Sequence, residues 1–484
     1  MTQLPTESET TGPLRPEPGE IAEPVHPGTS MTYLGGRPLR RYLLWYPIAS
    51  LAITAVWGAV LGVLLPNQVQ ALEFSHWFTG ADAGVDLTAL NDLRAAVADG
   101  AAATAEQHRL LGLLSQFDAG RARALSLVTS LAVLGTMLVQ PVIGVVSDRT
   151  RSRLGRRAPW ILFGALVGAG FLVAARFAPT IAVLALLWTV AQVTLNVALG
   201  PLTATVADRV PESRLGTVSA VGGLGTFLGG ILGGVLAGVL FASLGLNTYL
   251  LVAALVVLGL VGFVARLPDR PSTALPAVPH RWGAFFRSLV AALGDRDFRW
   301  VWVARVLLTF GYASSSTFSF FMLQSYLTPA LSAAEATKLV PVLTIAGLPG
   351  TLVALVVAGR LSDRLGRRKP FVIAASLLMA GSMALPLAWP TLTALVLQVI
   401  LAGVAFGTYL SVDQALFIDV LPDKDAAGRD LGVASLGSNL GQALGPVAAA
   451  QVVALTGGYR AVWLVALVLI AVAAFAIIPV KRAR

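Results

Sequence analysis

The chain alternates long apolar runs with short polar loops. Apolar runs fall at about 42–66, 123–147, 158–176, 180–208, 216–242, 247–266, 299–323, 338–361, 370–389, 391–419, 432–455 and 460–480. Each is long enough to cross the hydrocarbon core of a bilayer as a helix. The spacing therefore predicts an all-α membrane protein with twelve spans. Residues 1–40 carry Pro, Glu, Thr and Gly without an apolar period and read as a disordered tail. The tail lacks the pattern of a cleaved signal peptide. Residues 41–266 form one six-span half and 299–484 the other, joined by a polar linker at 267–298. The longest loop, 70–122, holds a stretch of helical period at 87–115, read as an extracellular cap helix or a partner-binding element. Arginines gather in alternate short loops and beside both termini, which places those loops and termini in the cytoplasm.

A loop motif is written twice. The first copy runs Gly144-Val-Val-Ser-Asp148-Arg149-Thr-Arg-Ser-Arg153-Leu-Gly155-Arg156-Arg157-Ala-Pro159, the second Gly359-Arg-Leu-Ser-Asp363-Arg364-Leu-Gly366-Arg367-Arg368-Lys-Pro370. The Gly-Arg-Arg triplets lie 211 residues apart, and a Thr-Arg-Ser-Arg insert lengthens the first copy. The loops after the fourth and tenth runs repeat at the same offset, with Asp208 matching Asp419 and Pro211 matching Pro422. The chain is thus a duplicated half with a local insertion.

These hairpins resemble the signature loops of the major facilitator superfamily of secondary transporters. The longer first copy is similar to that of the glycoside–pentoside–hexuronide:cation symporters and related sucrose-type sugar carriers. The resemblance implies the major facilitator fold, two pseudo-symmetric six-helix halves, and transport of a small solute by alternating access. It also implies a conformational gate at Asp148, Arg149, Gly155, Arg156, Arg157, Asp363, Arg364, Gly366, Arg367 and Arg368. In that gate Asp148 is expected to cap the eleventh span near Gly432, Asp363 to cap the fifth near Gly216, and Arg149 and Arg157 to pair with nearby acids.

Composition narrows the function. Hydrophobic residues make up 56% of the chain, charged residues 12%, and mean hydropathy is +0.76. The absence of cysteine removes disulfide and thiolate chemistry. The net charge of +10 is distributed as membrane topology requires, which argues against nucleic acid as a partner. No glycine-lysine pair forms a phosphate-binding loop, and no histidines sit at metal-ligand spacing. No buried nucleophile or carboxylate pair suggests an enzyme, and no cofactor or metal is expected. The expected partners are the lipid bilayer and a small-molecule substrate, with the chain working as a monomer. The Ala-, Arg- and Gly-rich, Lys-poor composition points to a bacterial cytoplasmic membrane.

Away from the span ends, two ionisable residues stand out, Arg305 in the seventh span and Asp413 in the tenth. Both lie roughly 9 Å inside the cytoplasmic boundary, at 1.5 Å per residue. Equal depth makes them partners, either as a proton-coupling pair or as a static ion pair. At offset 211 Asp413 matches Leu202, so the acid is not shared between halves. Sodium symporters of the resembled type use acids within spans 2 and 4, which have none here before Asp148 and Asp208. Protons are therefore the expected coupling ion.

A substrate near the midplane would meet Trp57, Gln192, Asn196, Tyr312, Ser316, Phe318, Asn439 and Gln442. Such amides, hydroxyls and aromatic faces suit a neutral sugar, and equally suit helix–helix hydrogen bonding. Eight glycines between 222 and 238 suit close packing of the fifth span, either static or as a gliding contact between halves. An exporter is the alternative transporter reading, and a non-transporting sensor the alternative from another class.

Overall fold

The computed structural model describes residues 35–273, 292–422 and 427–482. The expected tail up to residue 34 and the linker from 274 to 291 lie outside the described residues, as does 423–426 in the loop before the eleventh span.

Among the described residues there are fourteen α-helices. They are α1 Gly36–Trp77, α2 Leu87–Ala98, α3 Ala105–Asp148, α4 Ala158–Ala175, α5 Ile181–Arg209, α6 Glu212–Leu244 and α7 Thr248–Arg266 in the first half. The second half holds α8 Arg296–Ser316, α9 Ser319–Ser325, α10 Ala333–Leu365, α11 Lys369–Ala388, α12 Leu392–Asp419, α13 Ala427–Thr456 and α14 Arg460–Ala476. The seventh span is α8 with α9, bent by 45°. With that pair taken as one and α2 set aside, twelve spans remain in two sets of six. In α1, Pro66 has no N–H for the carbonyl one turn back, and the helix widens into a π turn at Val60–Leu64.

The 70–122 segment is more helical than its polarity suggested. α1 continues to Trp77, and α3 begins at Ala105 with a Thr104–Gln107 capping box. At 1.5 Å per residue, the 44 residues of α3 reach about 66 Å, well beyond a hydrocarbon core of about 30 Å. The excess projects from the face opposite the Arg-rich hairpins. This cap end is thus built from helix extensions with α2 laid across them, its start capped by Asp86.

Packing repeats between the halves. α1 packs on α6 and α4 on α5 in the first half, as α8 packs on α13 and α11 on α12 in the second. Between halves, α3 meets α13 and α6 meets α10. Small residues set the closeness of α1 and α6. A Cβ on Gly58 would fall 1.7 Å from the Gly230 carbonyl oxygen, and one on Gly233 2.0 Å from that of Ala55. Most of the expected glycine stripe is therefore packed within one half, and only Gly238 touches the other, against Pro341 and Thr337. Large apolar side chains such as Leu138, Leu258 and Phe475 face outward, as lipid contact requires.

Candidate functional site

At the hairpin end, the first Arg-rich loop is held inside its own half. Gly155 adopts φ +87°, and a Cβ there would lie 2.4 Å from the Asp269 side chain, so only glycine fits. The turn delivers two guanidinium groups to one carboxylate. Arg157 Nε donates to Asp208 Oδ2 at 2.9 Å, Arg156 Nε reaches the same oxygen at 3.1 Å, and Arg156 Nη2 pairs with Oδ1. Arg157 also donates to Ser147 Oγ at 2.6 Å and pairs with Asp148 at 2.5 Å. Burial disfavours the Arg157 charge, but Asp208 and Asp148 outweigh it and raise its pKa above the usual arginine value. Ser272 ties the turn down by accepting from Ser152 N and donating to Thr150 O.

The second hairpin keeps the same central contact. Arg368 Nη1 pairs with Asp419 Oδ1 at 2.6 Å and donates to the Ala415 carbonyl. Arg157 and Arg368 are 211 residues apart, as are Asp208 and Asp419, so the duplicated motif encodes the same bond twice. Gly366 closes α10 at φ +59°. Asp363, Arg364 and Arg367 are exposed.

Asp148 pairs with Arg157. The start of α13, where its cap is expected, adjoins residues 423–426 outside the described residues, and Asp363, expected to cap α6, is exposed.

Arg305 and Asp413 do meet. Their side chains form a buried hydrogen-bonded ion pair between α8 and α12. The Arg305 guanidinium lies 4.1 Å from the Phe417 ring centroid, and Tyr409, one turn before Asp413, contacts both members. The pair is shielded from water, with both side chains 8% exposed.

Amide side chains link the halves near mid-span. Asn439 Nδ2 donates to Gln140 Oε1 at 3.3 Å, Gln140 Nε2 to Asn196 Oδ1 at 3.1 Å, and Asn196 Nδ2 to the Gln192 carbonyl at 2.8 Å. Beside this chain a cavity of about 380 Å³ runs between α3 and α5 to the hairpin end, lined by Gln140, Gly144, Ser147, Asp148, Arg157 and Gly200. Of the expected substrate residues, the structure thus joins the side chains of Asn196 and Asn439, while Gln192 enters only through its backbone carbonyl. Gln140 completes the chain although sequence reasoning passed over it. Its signal was a lone amide in the apolar run Met137-Leu-Val-Gln140-Pro141-Val. Tyr312 stacks on Phe406 at 5.8 Å, Ser316 and Gln442 are exposed, and Trp57 is half-buried against the apolar core. Phe318 is fully buried, against Phe321 and Tyr459. The bend between α8 and α9 turns that ring into the cap-end core.

The cap end holds a second ionic cluster, so Arg305 and Asp413 are not the only charges buried between spans. Asp118, fully buried, pairs with Arg121 at 2.6 Å and with Arg94 of α2 at 2.7 Å. Arg121, 1% exposed, donates to Gln70 Oε1 at 2.7 Å and to Ser325 Oγ, and its guanidinium lies 4.5 Å from the Phe321 ring centroid. Gln70 donates to Gln324 at 2.8 Å, Ser325 Oγ to Asp118 at 3.2 Å, and Arg94 to the Ser325 carbonyl. One carboxylate thus organises α1, α2 and α3 of the first half around α9 of the second. Asp118 and Arg121 fell inside the stretch read as loop. An acid and an arginine three residues apart on one helix face were the available signal. Among the described residues, no group of His, Cys, Asp or Glu side chains could hold a metal ion.

The family model for the Major Facilitator Superfamily matches residues 110–353 and 322–484. The chain belongs to that superfamily. It is a multi-pass membrane transporter and not an enzyme. Solved structures with the same fold include the nucleoside transporter NupG, at TM-score 0.66 and 17% identity over 92% of this chain and 100% of that one. A bacterial homologue of the human lysosomal transporter Spinster, inward-facing and unoccupied, matches at TM-score 0.62 and 14% identity, over 92% and 97%. The human organic anion transporter MFSD10 matches at 0.59 and 18%, over 91% and 99%. No curated protein matches the sequence.

Proposed function

We propose that this transporter imports a neutral, hydroxyl-rich solute, a sugar or related polyol, together with protons. Its place would be the cytoplasmic membrane of a bacterium, with the hairpin end inside, and within the superfamily the branch of glycoside–pentoside–hexuronide symporters and sucrose-type carriers. The observation that carries the reading is the amide chain Asn439–Gln140–Asn196, which crosses the two halves beside the cavity. Each amide offers a donor and an acceptor, the pair that a hydroxyl needs. A solute that replaces the Gln140 links satisfies the same groups and releases one half from the other. The similar structure NupG is named as a nucleoside transporter, and nucleosides are also neutral and carry a hydroxylated ring, so they belong in the same assay.

Coupling falls to Asp413. A carboxylate this buried stays charged only while Arg305 faces it. Proton uptake by Asp413 frees Arg305, and parting of α8 from α12 has the converse effect. Exchange of that proton with the hairpin side would be tied to the state of the carrier.

The test is external pH in lightly buffered, de-energised cells expressing the chain, with sugars, polyols and nucleosides added singly. Alkalinisation by one solute, lost in Asp413→Asn while binding of that solute persists, is the expected result. Alkalinisation that survives in Asp413→Asn reduces the pair to a structural one. No alkalinisation with any neutral solute, alongside proton-driven efflux, replaces the reading with an exporter.

A further inference from the structure

A long groove on the outside of the second half has no role in the transport path described above. It runs along α10, α11 and α12, encloses about 560 Å³, and is lined by Gly350, Val353, Val357, Leu361, Phe371 and Val404 among others. Gly350 lets α12 approach closely, since a Cβ there would stand 2.8 Å from the Val404 side chain. Thr408 also lines the groove, but its hydroxyl donates to the Val404 carbonyl at 2.9 Å, so that polar group is already satisfied. The lining is therefore apolar throughout. From Pro349 to Leu361 the groove spans about 18 Å of helix, close to the half-thickness of a hydrocarbon core of about 30 Å.

The hairpin end of this groove is basic. Arg360 and Arg364 follow Val357 by three and seven residues, on the same face of α10, and Arg367 lies just past the helix end. All three are exposed, and none has a carboxylate partner among the described residues. Their neighbours differ, because Arg368 is paired with Asp419 and Lys369 donates to the Ile478 and Val480 carbonyls. Asp363 is exposed in the same turn and offsets one positive charge, which leaves an excess of two. An apolar slot one leaflet deep, ending in unpaired guanidinium groups at the interface, has the chemistry of a lipid with a negative headgroup.

We propose that this groove is a binding site for one anionic phospholipid of the bilayer. Its acyl chain lies along Gly350–Leu361 and its phosphate meets Arg360 and Arg364. The site flanks α12 within two turns of Asp413, so the lipid braces the helix that carries the buried acid.

The test is native mass spectrometry of the full chain in detergent, titrated with long-chain phosphatidylglycerol or phosphatidylcholine. The expected result is a first bound phosphatidylglycerol at least tenfold tighter than phosphatidylcholine. Arg360→Gln with Arg364→Gln should weaken phosphatidylglycerol about tenfold or more and leave phosphatidylcholine unchanged. Val357→Trp, which fills the groove from its exposed side, should weaken both. Equal binding of the two lipids by the unsubstituted chain overturns the proposal, and so does full-strength phosphatidylglycerol binding by the double variant. A short-chain phosphatidylglycerol that binds as tightly as the long-chain one removes the groove from the site. A thermal unfolding scan of each variant separates loss of the site from loss of the fold.

Discussion

Replacing Asp118 with Asn should open the cap end. In the state described, this carboxylate is fully buried and faces both Arg121 and Arg94. Removing its charge leaves Arg121, 1% exposed, without a counter-ion. Breaking one side of a buried ion pair costs about 3–5 kcal/mol. That cost falls on the closed arrangement, because separation of α3 from α9 exposes Arg121 to water. At about 1.4 kcal/mol per tenfold, the closed–open equilibrium moves by roughly two to three and a half orders of magnitude. A carrier resting at about 99:1 closed would then lie between about 1:1 and 1:40. The sequence contains no cysteine, so spin labels at Ala102→Cys and Ala334→Cys need no background substitutions. Both positions are exposed, one in each half at the cap end. Double electron–electron resonance should show a longer, broader distance in Asp118→Asn. Asp118→Asn with Arg121→Gln should recover much of the short distance, since the stranded charge is gone. An unchanged distance in Asp118→Asn refutes the argument, and so does a double variant that opens further than the single one.

Two further outcomes follow from the hairpins. Arg157→Gln should lower stability by about 1–3 kcal/mol, because it breaks a nearly buried contact with Asp208 that Arg156 retains in part. Arg368→Gln breaks the equivalent but half-exposed bond to Asp419 and should cost only about 0–1 kcal/mol, so thermal unfolding that ranks the two in reverse contradicts the burial argument. Gly155→Ala should cost about 1–3 kcal/mol from its left-handed backbone, with an added clash against Asp269. Combining it with Asp269→Ala should restore only the clash, and full recovery of the melting temperature would show that the backbone is not strained.

The pattern along the chain carries the fold class and the duplication. An offset of 211 is enough to match Arg157 with Arg368 and Asp208 with Asp419, and both pairs form the same bond. Depth and charge alone also identify Arg305 and Asp413 as partners, since a charge within an apolar span must find its opposite at the same level.

Partner choice elsewhere was decided by tertiary structure. Asp148 bonds Arg157 because the hairpin folds back on α3, which depends on the turn at Gly155 and its approach to Asp269. Phe318 enters the cap-end core because α8 bends before α9. The Asp118 cluster was hidden by its own polarity. Hydropathy reads charged residues as loop, whereas here helices extend beyond the bilayer and turn those charges towards one another. Gln140 shows the same limit, as a single amide whose two partners lie on α5 and α13. Periodicity fixes which face of a helix is buried, because that is a property of one segment. Which groups meet on that face depends on how helices from two halves cross, and only the assembled bundle sets that geometry.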